Sequence, residues 1–120
     1  AVSSLEDADD VEEEIEDRFG DIPSSVRNLL DISRLKILAK LLGIGTITMQ
    51  RGEVIARPLP GISLNSELVA SLLVQFRGEV RYQPGRPPTI RWKTAGRNVS
   101  EVFNLIKKSL SYLLGKENSA

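Results

Sequence analysis

The chain has 120 residues, 41% of them hydrophobic and 27% charged, which is the size and balance of one globular domain. It contains no cysteine and no histidine, which excludes a disulfide framework, a thiolate metal site, a cysteine nucleophile and the commonest general base. Sixteen bases and sixteen acids cancel unevenly: residues 1–21 hold ten acids and one base, residues 22–76 six bases and three acids, and residues 77–120 nine bases and three acids.

An acidic end on a mildly basic body points to electrostatic docking, within a larger protein or onto a partner. The absence of cysteine permits a reducing, cytoplasmic setting, which is the expected location. No apolar run approaches the roughly 20 residues that cross a bilayer, and the acidic start lacks the apolar segment of a signal peptide. No membrane partner is expected.

Residues 1–6 read as a tail or linker remnant, residues 7–115 as one domain and residues 116–120 as a frayed tail. The first helix is expected over 8–19, with Val11, Ile15 and Phe19 forming an apolar stripe that holds it to its neighbour. Acids fill its first turns, where the helix dipole favours them. Gly20 suits a C-cap, and Pro23 opens a second helix to Leu42. Val26, Leu29, Leu30, Ile37, Leu38, Leu41 and Leu42 form its apolar face, with Arg27, Arg34, Lys36 and Lys40 on the others. Gly43 stops it.

The periodicity then drops to two. Ile47 and Met49 alternate with Thr46, Thr48 and Gln50, Arg51-Gly52-Glu53 turns, and Val54–Arg57 returns, giving a hairpin over 46–57. A third helix follows over 66–76, capped by Asn65 or Ser63, with Leu68, Val69, Leu72, Leu73 and Phe76 inward. A second hairpin pairs 79–83 with 89–93. Asn98 and Glu101 have capping-box spacing before a fourth helix to about residue 114. The order α-α-β-β-α-β-β-α predicts an α+β domain, a mostly antiparallel sheet packed by helices.

Three groups of residues invite a functional reading. Glu12, Glu13, Glu14, Glu16 and Asp17 lie off the apolar stripe, and Glu14 and Asp17, three apart, project as neighbours. Such a pair can grip arginines of a facing surface by charge-assisted hydrogen bonds, or serve only as a solvated face. Clustered carboxylates also suit Mg²⁺ or Ca²⁺, but no loop of alternating oxygen ligands is present, so no metal or other cofactor is expected. Arg77, Arg81, Arg86, Arg91, Lys93 and Arg97 surround the second hairpin, with Tyr82 and Trp92 between them. Arg81, Arg86, Arg91 and Lys93 are the candidate contacts of an alternative nucleic-acid-binding module, unless the two aromatics are core residues. Gly43-Ile44-Gly45 follows a helix and lacks the rest of a nucleotide-binding loop. The serines have no histidine to activate them, and the acids crowd one helix instead of converging from several elements. The chain reads as a non-enzyme.

One stretch is recognisable. Glu16-Asp17-Arg18-Phe19-Gly20, a following proline, Asn28-Leu29-Leu30-Asp31-Ile32-Ser33-Arg34-Leu35-Lys36 and the closing Leu41-Leu42-Gly43-Ile44 resemble the C-terminal domain of bacterial transcription-repair coupling factors. The resemblance is specific over residues 11–44 and consistent in element order to about residue 115. It implies a parent that is an ATP-driven DNA translocase, which removes stalled RNA polymerase and recruits nucleotide-excision repair. In that family this domain folds back onto an N-terminal module resembling the excision-repair B protein. It masks the surface that recruits the excision-repair A protein and restrains the motor. The family contact uses acids one and four positions before the Arg-Phe-Gly turn, which here are Asp17 and Glu14.

Overall fold

The computed structural model describes residues 4–118; residues 1–3 and 119–120, from the two expected tails, lie outside the described residues. Eight elements follow in the expected order: α1 (Leu5–Phe19), α2 (Ser24–Leu41), β1 (Ile44–Gln50), β2 (Glu53–Pro58), α3 (Ser66–Gln75), β3 (Val80–Gln83), β4 (Thr89–Lys93) and α4 (Val99–Asn118). The strands form one sheet in the order β1-β2-β4-β3, antiparallel throughout.

Local chemistry sets most of the boundaries. Asn98 accepts from the Glu101 backbone N–H at 2.9 Å and Glu101 accepts from the Asn98 N–H at 3.5 Å, the expected capping box of α4. Asn65, not Ser63, caps α3, accepting from Glu67 and Leu68. Gly43 ends α2 at φ +75°, and a Cβ there would meet Ile62 Cγ2 at 3.0 Å, so both backbone and space require glycine. The first hairpin turns on two residues, Arg51 at φ 35° and Gly52 at φ 78°, and Glu53 already belongs to β2.

One face of the sheet carries Val54, Ala56, Val80, Ile90 and Trp92 into the core, against Leu35, Leu38 and Ala39 of α2, Leu72 of α3, and Val102, Ile106, Leu110 and Leu113 of α4. Each valine, leucine or isoleucine among them stabilises the fold by about 1.5–3 kcal/mol when fully buried. α4 lies between α2 and α3. The indole N–H of Trp92 donates to Ser109 Oγ at 3.0 Å, and Ser109 donates to Leu105 O at 2.8 Å, so the buried polar atoms of this seam are satisfied.

α1 differs most from expectation. It starts at Leu5, not residue 8, because Ser4 caps it by accepting from Asp7 N–H at 3.0 Å; Leu5 packs against the core. α1 packs chiefly on α2. The bond between them is not Phe19, which is 78% exposed one turn beyond the seam. Ala8 (0% exposed) is the close contact, with Val11 and Ile15 half-buried.

The centre of the seam is Arg34, which its residue type assigns to an outer face of α2 but which is 5% exposed. It reaches Asp9 at 2.8 Å and Glu12 at 3.4 Å on α1, and Asp31 at 3.1 Å on its own helix. Burial opposes its charge, but the hydrogen bonds it donates to Asp9 and Asp31, together with the nearby Glu12, outweigh that opposition and hold the guanidinium above its usual value. Its Nε alone has no partner among the described residues. Leu29 and Leu41, expected in the apolar face of α2, are 65% and 61% exposed.

Arg34→Ala leaves three carboxylates gathered without their cation and is expected to cost roughly 2–4 kcal/mol, discounted because the carboxylates are partly solvated. Urea unfolding measures it. Arg34→Met, which keeps the stem packed, should lose less. Equal stability of wild type and Arg34→Ala would exclude the ion cluster as the seam of α1.

Candidate partner-docking site

With Asp9 and Glu12 turned inward to Arg34, the outer side of α1 is left to Asp10, Glu13, Glu14, Glu16 and Asp17, all exposed. Glu12, read from sequence as an outward acid, is a seam residue with 24% of its side chain exposed. Glu14 and Asp17 lie three apart on the last two turns of α1. Glu14 pairs with Arg18 at 3.2 Å, an (i, i+4) pair with both side chains about two-thirds exposed. Glu16 lies 3.9 Å from Arg27 of α2. Asp17 makes no ion pair among the described residues. Gly20, at φ +80°, ends the helix and donates its N–H to Glu16 O at 2.9 Å. The exposed ring of Phe19 therefore stands beside the acids as an apolar knob, a placement the four-residue stripe hides, since Phe19 shares the phase of Val11 and Ile15.

The basic residues of the second hairpin are not brought together as one aromatic-lined surface. Trp92 (0% exposed) and Tyr82 belong to the helix-covered side of the sheet. Arg81, Arg91 and Lys93 share the opposite side with Arg57 and Glu53, and Arg86 sits in the exposed β3–β4 loop. Two of these cations are engaged internally. Arg81 donates to both Glu53 carboxylate oxygens, at 2.6 and 2.9 Å, and Arg91 lies 3.6 Å from the same group. The Arg81 hydrogen bond, more than burial opposes it, holds the Glu53 carboxyl below the ordinary carboxylate value. Among the described residues no group of three or more acids is arranged to hold a metal ion, and no helix is long and apolar enough to cross a membrane.

The model of one family, described as the TRCF domain, matches residues 1–65, more than half of the chain. The chain belongs to the TRCF domain family. The described architecture is also that of a solved structure entitled "Crystal structure of C-terminal domain of transcription-repair coupling factor", with a TM-score of 0.87 at 14% identity, covering 98% of this chain and 75% of that one. At that identity the likeness shows the fold. Among curated proteins none matches the chain in sequence. The family match spans α1, α2 and the first hairpin of this TRCF domain, so both the Arg34 cluster and the outward acids lie within it.

Two outcomes follow for the TRCF domain. Phe19→Ala should shift stability by no more than about 0.5 kcal/mol in thermal unfolding, as for other exposed positions; a loss of several kcal/mol would place the ring in a seam. Because the folded Glu53 carboxyl lies below its unfolded value of about 4.5, its contribution to stability is complete above that pH and is lost as pH falls through the lower folded value. Glu53→Gln should remove this component, so wild type and variant converge in stability at low pH and separate above it. Parallel curves from pH 2 to 7 would show that the Glu53 network adds nothing.

Proposed function

We propose that this TRCF domain is an autoinhibitory protein–protein interaction module of a DNA translocase that couples transcription to nucleotide-excision repair. The observation that supports it is a pair of outward acids, Glu14 and Asp17, on a helix fixed from behind by the buried Arg34. Their partner is a pair of arginines on the N-terminal module of the same polypeptide, which resembles the excision-repair B protein. Closed, the domain covers the surface that recruits the excision-repair A protein and restrains the motor that acts on stalled RNA polymerase.

The chemistry suits a reversible clamp. Two carboxylates take two guanidinium groups in charge-assisted, geometrically specific hydrogen bonds. The exposed Glu14–Arg18 pair is worth only about 0.3–0.5 kcal/mol, so an incoming arginine displaces Arg18 at little cost. Phe19 adds a desolvating contact next to the charges. The alternative, nucleic-acid binding through Arg81, Arg86, Arg91 and Lys93, has less support. Of the aromatics that would stack on bases, Trp92 is buried in the core and Tyr82 shares its side of the sheet, and Glu53 occupies two of the arginines.

Glu14→Ala with Asp17→Ala in the full-length protein should leave the domain folded, since both side chains are exposed, and should raise capture of the excision-repair A protein by about tenfold or more. Unchanged capture, with an unaltered circular dichroism spectrum, would defeat the clamp.

A further inference from the structure

The edge of the sheet at β1 is undefended. Edge strands of soluble proteins are usually blunted by charge, proline or a covering element. β1 reads Ile-Gly-Thr-Ile-Thr-Met-Gln over Ile44–Gln50, with no charge and no proline, and it pairs only with β2 among the described residues. Its one irregularity is the register shift between Ile44 and Thr46, where Gly45 lets Leu59 cross: a Cβ at Gly45 would lie 3.0 Å from Leu59 Cδ2. Past that point the strand is regular to Gln50.

A groove of about 850 Å³ runs along this edge, lined by Ile32, Leu35 and Ala39 of α2, Phe103 of α4, and Thr46, Ile47 and Thr48 of β1. Side chains of alternate parity line it together, which requires that the groove follow the edge of the strand and not one of its faces. The two-residue turn closes on the pair Gln50 and Glu53. Alternation of the ladder then aims the backbone N–H and C=O of Met49 and Ile47 away from β2, toward the groove. Lys36 and Lys40 stand exposed on its rim, without an ion pair among the described residues.

We propose that β1 is a strand-addition site that takes an extended polypeptide segment of another protein or domain, with alternating apolar residues in the groove and carboxylates at Lys36 and Lys40. Unmet backbone groups in a row are met best by another backbone, which supplies affinity, while the alternate side chains supply selectivity. Charge selects an acidic segment. It also disfavours a second copy of this chain paired edge to edge, which would bring the two lysine rims toward each other. The site is separate from α1 and does not depend on the reading of Glu14 and Asp17.

The test pans the chain against a random twelve-residue peptide library displayed on phage, then measures a fluorescein-labelled peptide of the selected consensus by anisotropy and amide chemical shifts. The expected consensus alternates apolar residues and carries at least one acid, and it shifts the amides of Ile47 and Met49. Lys36→Glu with Lys40→Glu should weaken the peptide by about tenfold or more without touching the strand. Met49→Pro, whose lost N–H faces outward, should abolish binding while the spectrum of β2 is kept. Three results would overturn the proposal: no peptide selected over a phage background, a consensus that binds elsewhere or is indifferent to the lysine reversal, or light scattering showing a dimer with the shifted amides at β1.

Discussion

A single buried guanidinium decides where α1 sits. Arg34 projects from the phase of Leu30 and Leu38, the side of α2 that faces the interior, and a lone cation there would be untenable. It is tolerated because Asp31 comes from its own helix and Asp9 and Glu12 arrive from α1. The helix pair is therefore defined by directional bonds more than by apolar area, and each bond has a fixed partner. Rotating α1 or sliding it by one turn would strand the charge, so the cluster sets both register and orientation. The same constraint sends the acids not needed at the seam toward the outside.

The rest of the domain is built on a different principle. The sheet and α2–α4 enclose a conventional apolar core, sealed by Trp92, Leu72, Ile106 and Leu110, to which α1 adds the partly buried Leu5 at its edge. Two modes of adhesion thus coexist in one small domain. The hydrophobic portion is not weakened by ionic screening and confers most of the stability, whereas the ionic seam is exposed at its rim, through Asp9, to the ionic strength of the medium. The element proposed to dock a partner is thereby attached by contacts of the same chemical kind as those it would offer.

Element order, the two hairpin pairings and nearly all caps are legible in the sequence, because they depend on local signals: Asn98 and Glu101 at capping spacing, Asn65 before an apolar run, period-two alternation over Ile47 and Met49. What stays hidden depends on tertiary partners. Phe19 has the phase of a core residue, but it stands on the last turn of α1, beyond the residues that are covered, and periodicity does not report where burial ends. Arg34 groups with the surface bases by residue type, although its spacing of four from both Leu30 and Leu38 places it inside. That spacing is the available signal. Glu14 and Asp17 can be placed outward by helical geometry alone, whereas the diversion of Glu12 cannot be seen without Arg34. The openness of the β1 edge is equally invisible, since strand order in the sheet is set by how α3 carries the chain from β2 to β3 and leaves the place between them to β4.

The hydrogen bond from Trp92 to Ser109 has a practical corollary. Trp92 is the only indole in the chain, and it sits wholly out of water where α4 meets the sheet. Its emission therefore monitors that junction and nothing near the first helix. Undocking of α1 would register in far-ultraviolet ellipticity while the fluorescence stayed blue, so two optical channels can resolve detachment of the acidic arm from collapse of the body.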